Sequence, residues 1–161
     1  KYIRHIEIAG IIKNIAAIIC GMVDEYFDKG IHTNKIIKKA CEETWQLAKE
    51  YIEHLPTNEY EIIVKSFNDD KDLIISSPGY IGDMILTCKQ NQSRNYQFGK
   101  LIADQKINID DAKNTIGTVE GYDCCITLVE KVGVKSELTN ILYQIINSRN
   151  EDRERIISTV L

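Results

Sequence analysis

Proline is nearly missing from this chain and glycine is sparse, with two and nine residues respectively among 161. So few breakers leave room for long, uninterrupted helices. No stretch alternates apolar and polar residues for long enough to build a sheet, and no segment repeats itself. A basic surplus is also absent. The formal net charge of −4 argues against a dedicated nucleic-acid binder, which carries a basic face, and leaves a local basic pocket open. The most apolar stretch, Ile6 to Val23, contains Glu7, Lys13 and Asn14, so its centre is too polar for a bilayer. No signal-peptide cleavage pattern stands at the start. No G-x-G-x-x-G follows a strand, so a dinucleotide-binding βαβ unit is not encoded here. The chain begins at Lys1 without an initiating Met and reads as part of something longer, its missing portion on the N-terminal side.

Cysteine is present in an odd number: Cys20, Cys41, Cys88, Cys124 and Cys125. No two have zinc-type spacing, and the adjacent Cys124 and Cys125 are poorly placed to ligate one metal. The expectation is reduced, mostly buried thiols in a reducing cytosol, with no metal.

What is there is helical periodicity. From about Ile3 to Phe27, Ile8, Ile11, Ile12, Ile15, Ile18 and Ile19 recur at helical spacing on a segment apolar nearly all round, predicting a central buried helix that ends at Gly30. Thr33 or Asn34 is expected to cap a second helix reaching about Leu55, with Lys38, Lys39, Glu42, Glu43 and Glu50 on solvated faces. Thr57 to Asp72 reads as irregular, with an exposed loop at Asn68–Asp72. A turn cluster, Ser76 to Gly79, precedes the next apolar run. Further helices are expected at Ser93–Ala103, Ile109–Ile116, Val119–Val132 and Ser136–Ile146. A last one is capped by Asn150, with Ile156, Ile157 and Val160 inward. The fold class is all-α, one domain over residues 1–161.

Three constellations carry chemistry. In Gly10-Ile11-Ile12-Lys13-Asn14, a lysine sits mid-helix in the most apolar segment. A buried lysine is costly unless paired or set in a cleft, and burial suits it to proton transfer near neutral pH. The plainer alternative is a snorkelling surface lysine beside a kinking Asn. In Gly82-Asp83-Met84-Ile85-Leu86-Thr87-Cys88, Asp83 and Thr87 share one helix face and can pair a lysine or bind a hydroxyl. Alternatively Asp83 caps the helix and Thr87 bonds back to the backbone. Ser93-Arg94-Asn95 opens a helix, and free N–H groups plus a guanidinium make an anion site. A simple Ser cap with exposed neighbours is the alternative.

Order and spacing add what no single motif carries. The chain resembles the C-terminal domain of bacterial NAD(P)-dependent glycerol-3-phosphate dehydrogenases. Gly10-Ile11-Ile12-Lys13-Asn14 is similar to the family's glycine-alanine-leucine-lysine-asparagine. Gly82 to Cys88 looks like its glycine-aspartate, apolar, threonine-cysteine segment. Ser93-Arg94-Asn95 with Phe98-Gly99, and Val119-Glu120-Gly121, complete the ordered set. The resemblance extends from about Glu7 to Leu161.

That resemblance implies a multi-helix substrate domain of the 6-phosphogluconate-dehydrogenase-like C-terminal type, joined in the family to an N-terminal Rossmann domain absent here. It implies hydride transfer between glycerol 3-phosphate and dihydroxyacetone phosphate with NAD or NADP, and it admits a homodimer. By resemblance Lys13 is the proton acceptor and Asn14 helps position the hydroxyl. Asp83 contacts Lys13 or a substrate hydroxyl, with Thr87 one turn on. Ser93, Arg94 and Asn95 hold the phosphate, and Arg94 and Glu120 reach the cofactor. There are departures. Ile11 and Ile12 are bulkier than the family pattern. The Pro56–Pro78 segment is longer than usual. Gly117-Thr118-Val119-Glu120 is one residue short, which weakens the cofactor contact at Glu120. The family's second lysine belongs to the absent half. This chain alone is therefore expected to be catalytically silent. Two other readings stay open: the helical half of another Rossmann-linked hydroxyacid dehydrogenase, or a non-catalytic helical interaction domain.

Overall fold

The computed structural model describes residues 3–27, 30–53, 78–89, 92–134 and 136–161. Among them every regular element is a helix. The first, α1 (Ile3–Tyr26), is the spine. Every residue from Ile15 to Val23 is buried, as an all-round apolar helix requires. Each isoleucine taken out of water there contributes about 1.5–3 kcal/mol.

Around α1 lie α2 (Thr33–Glu53), α3 (Pro78–Lys89), α4 (Arg94–Ala103), α6 (Glu120–Thr127), α7 (Glu137–Ile146) and α8 (Arg153–Ser158), while α5 (Ile109–Ile116) packs on α4. Glycine sets the closest crossing, between α1 and α4. A Cβ on Gly21 would lie 2.1 Å from the Tyr96 carbonyl oxygen, and one on Gly99 would lie 2.0 Å from that of Ile18. Two helix backbones touch there because neither carries a side chain.

Polar ties orient the surrounding helices. Asp24, near the end of α1, accepts the Gly30 N–H (2.9 Å) and the Thr33 hydroxyl (2.7 Å) on one oxygen and the Tyr96 hydroxyl (2.8 Å) on the other. Thr33 therefore serves Asp24 rather than capping α2 as expected, and Asn34 accepts from Lys89 (2.7 Å). Glu43 does not belong to the solvated face expected of it. It is buried, accepting the Ser136 hydroxyl at 2.5 Å and the Leu138 N–H at 3.0 Å, where the free amides at the start of α7 favour an anion. Burial pushes its carboxyl above the ordinary value, and those two hydrogen bonds pull the other way.

Two more expectations are corrected. Pro78 and Gly79 belong to α3 itself; proline is preorganised for a helix's first turn, where its missing N–H loses nothing. Asn150 does not cap the last helix. It stands inside a 3₁₀ turn (Asn150–Asp152), and its amide donates back to the Gln105 and Ile107 carbonyls. The helix expected over Val119–Val132 is α6 followed by a π-helical turn, Leu128–Val132, closed by Gly133. Ser93 and Ser136 cap α4 and α7 as expected, and Ile156, Ile157 and Val160 are buried. The loop expected at Asn68–Asp72, and Ser76 and Ser77 of the turn cluster, lie outside the described residues.

Among the described residues Arg153 is the largest fully buried side chain. Its Nη1 donates to the carbonyls of Ile102 (2.9 Å) and Ile107 (3.0 Å), closing the C-terminal end of α4. Desolvation lowers its pKa. None of the five cysteines is in a disulfide. Cys20, Cys41, Cys88 and Cys125 are buried and Cys124 is half-buried. Burial pushes the Cys20 thiol well up and that of Cys125 to about 12, which leaves both unreactive. No helix among the described residues is long and apolar enough to cross a membrane.

Candidate functional site

Lys13 sits midway along α1, just where the helix begins to be enclosed. Its side chain is 25% exposed rather than fully buried. The expected cost of burial is therefore relieved by a partner and by partial access to water. That partner is Asp83 of α3, whose Oδ2 accepts from Lys13 Nζ at 2.5 Å. Asp83 is thus a mid-helix ion-pair partner and not a cap. Thr87 follows it by one turn, and its hydroxyl donates to the Asp83 carbonyl oxygen (2.8 Å). That back-bond was the plainer of its two expected roles, and it leaves the oxygen's lone pairs free to accept.

The next residue, Asn14, turns toward α6. Its Nδ2 donates to Glu120 Oε2 at 3.0 Å. The N–H of Gly121 in turn donates to Oδ1 of Asn95, the second residue of α4 (3.0 Å). α6 can come this close because Gly121 lacks a side chain; a Cβ there would lie 2.6 Å from the Asn14 carbonyl oxygen. Helices α1, α3, α4 and α6 thus bring five of the expected site residues into one connected set: Lys13, Asp83, Asn14, Glu120 and Asn95.

The anion-binding expectation is met less evenly. Ser93 turns its oxygen onto its own helix, accepting the Tyr96 N–H at 3.4 Å. Asn95 is buried, with one end of its carboxamide occupied by Gly121. Arg94 is exposed and has no hydrogen bond or ion pair among the described residues. It stands at the first turn of α4, where helix geometry leaves the N–H groups without intrahelical partners.

A cleft of about 230 Å³ between α2 and the start of α7 shares no residue with this set. Glu42, Glu43, Glu50 and Glu137 line it, and its one cation among the described residues, Lys39, is paired with Glu137. That lining repels an anionic ligand. The pairing of Asn14 with Glu120, 106 residues away, had no signal in the sequence, since each residue was legible only within its own motif. The same holds for the engagement of Asn95 by a backbone amide.

An apolar spine crossed by glycine-mediated contacts, with a lysine–carboxylate pair on it, defines an all-helical domain. The crystal structure of a glycerol-3-phosphate dehydrogenase from Coxiella burnetii superposes with a TM-score of 0.68 at 22% identity, over 94% of this chain and 43% of that one. A family model described as the C-terminus of NAD-dependent glycerol-3-phosphate dehydrogenase matches residues 3–157, and the chain belongs to that family. Among relatives named glycerol-3-phosphate dehydrogenase (NAD(P)+), the Serratia proteamaculans protein is 27% identical over 95% of this chain and 41% of its own length. That of Wigglesworthia glossinidia brevipalpis is 34% identical over 73% of this chain and 31% of its own length. The chain thus spans about two fifths of the length of the Serratia relative.

Proposed function

We propose that this chain is the substrate-binding half of an enzyme that interconverts sn-glycerol 3-phosphate and dihydroxyacetone phosphate. The observation that carries this reading is the Lys13–Asp83 pair. It holds a partly exposed ammonium on the spine helix at a fixed point, in a chain of this family. In the direction of ketone reduction, Lys13 gives its proton to the alkoxide oxygen developing at C2. In the reverse direction the C2 hydroxyl proton passes to the Lys13 amine. Asp83 keeps the amine in place in both directions, and Thr87 offers a hydroxyl one turn beyond. Arg94 and the first amides of α4 hold the phosphate, binding energy remote from the reacting carbon that orients it.

A nicotinamide cofactor supplies or takes the hydride. This chain lacks the glycine-rich turn that would cradle its pyrophosphate, so an N-terminal dinucleotide domain has to supply that part. The exposed Arg94 and the exposed Glu120 are the residues here that fit a contact across the junction.

The test is to assay the polypeptide that joins this chain to a dinucleotide domain, using NADH or NADPH against dihydroxyacetone phosphate and a panel of 2-keto and 3-keto carboxylates. Turnover confined to the phosphorylated ketone supports the reading. Preference for a carboxylate would reassign the chain to another hydroxyacid dehydrogenase, and no turnover on any substrate would make it an interaction domain.

A further inference from the structure

A carboxamide has two unlike ends, one a donor and one an acceptor, and which end faces a ligand decides what that ligand must offer. For Asn14 the choice is made by Glu120. A carboxylate only accepts, so the Asn14 NH₂ group must face it, as the 3.0 Å contact shows. The amide oxygen of Asn14 is thereby turned away from Glu120, and it accepts no hydrogen bond from a described residue. Asn14 directly follows Lys13 in α1.

Glu120 is itself placed by two constraints that are independent of Asn14's side chain. It opens α6. The next residue, Gly121, is bonded through its N–H to buried Asn95 and lies against the backbone of Asn14 with no room for a Cβ. The first turn of α6 is therefore pinned to α4 by a hydrogen bond and to α1 by contact. The carboxylate of Glu120 is delivered to Asn14 by the fold.

We infer that Glu120 is a positioning residue which, by holding the Asn14 amide in one orientation, makes the site beside Lys13 select substrates with a hydroxyl group next to the reacting carbonyl. This rests on the proposed function. In dihydroxyacetone phosphate that group is the C1 hydroxyl, which donates to the Asn14 oxygen. A ketone that carries a methyl at this position leaves the oxygen unpaired. A site built to pair a hydroxyl discriminates strongly against an analogue lacking it.

The experiment compares kcat/KM for dihydroxyacetone phosphate and hydroxyacetone phosphate, which lacks the C1 hydroxyl, in the polypeptide joined to its dinucleotide domain. The parent should favour the first at least about tenfold. Glu120→Ala frees the amide to turn over and should collapse that ratio toward one. Asn14→Ala should collapse it equally, and the double variant should add nothing further. Glu120→Gln keeps the shape but can donate as well as accept, so it no longer fixes the amide and should lower the ratio too, which loss of bulk alone would not explain. If Glu120→Ala leaves the ratio intact and raises only KM for the nucleotide, Glu120 serves the cofactor and the inference is wrong. An equal loss on both substrates would also overturn it, as a general structural effect.

The pairing has a separate readout in the 161-residue chain. The Asn14 side-chain amide resonances should shift in both Glu120→Ala and Glu120→Gln, since each removes the charged acceptor. No shift in either would overturn the pairing even in an active enzyme. A shift in a chain whose joined form turns over neither ketone would uphold the pairing and sink the proposed function instead.

Discussion

Lys13 and Asp83 stand 70 residues apart in sequence and meet as a 2.5 Å ion pair that joins α1 to α3. Removing the ammonium takes away the group proposed to move the proton. In the joined enzyme, Lys13→Ala is expected to lower kcat by roughly 10²–10⁴-fold, the usual size of a general acid–base contribution. The fold should survive, because Ala suits a helix and Asp83, the partner left behind, is more than half exposed. Steady-state kinetics beside a circular dichroism spectrum checks both halves. Turnover within a few-fold of the parent would remove Lys13 from the proton-transfer role.

Much of this was legible in the sequence, and the reason differs by residue. The helices were readable because Ile12, Ile15, Ile18 and Ile19 bury one continuous spine, and periodicity reports burial directly. Lys13 was conspicuous as a charge inside that run. Glu43 was misread because a carboxylate on a helix is ordinarily solvated, and its burial depends on the amides of α7 at a distant point in the chain. Asn150 was misread for a related reason. Its amide found the carbonyls of Gln105 and Ile107, which no local pattern announces. Asn14 with Glu120, and Asn95 with Gly121, are likewise pairings of tertiary origin.

Arg94 is expected to read the phosphate. Arg94→Ala should lower kcat/KM for dihydroxyacetone phosphate roughly ten- to a hundredfold, the equivalent of about 1.5–3 kcal/mol for one charge-assisted contact. Arg94→Lys keeps the charge, loses the planar fork and should fall between. The control is unphosphorylated dihydroxyacetone, whose poor turnover should barely change. Equal proportional losses on both substrates would assign Arg94 to the cofactor or the fold.

The crossing of α1 and α4 should not tolerate a methyl group. Gly99→Ala places a Cβ 2.0 Å from the Ile18 carbonyl oxygen, where the obstacle is backbone. A loss of about 1–3 kcal/mol is expected from overpacking. Gly10→Ala, on the same spine with nothing within 4 Å of the new Cβ, should instead gain up to about 1 kcal/mol in helix propensity. Urea unfolding of the two variants beside the parent decides it, and equal midpoints for both would contradict the close crossing.

Glu43 should impose a pH dependence on stability. Its ordinary value is 4.5, and burial raises it in the folded chain. The folded state then holds the proton more tightly than the unfolded one. The corresponding stability is complete below about pH 4.5 and is lost as pH rises through the folded value. Glu43→Gln cannot titrate, so the stability difference between parent and variant should drift against the parent as pH rises above about 4.5. Urea midpoints across that range give the answer, and parallel profiles would show that Glu43 titrates alike in both states.

Arg153 gives the end of the chain a weight that its position does not suggest. Its guanidinium is spent on the carbonyls of Ile102 and Ile107, and Ile156, Ile157 and Val160 follow it into the core. A stop codon or frameshift just before Arg153 would uncap α4 and open the wall beside the spine. In a genetic screen such late lesions should behave as nulls.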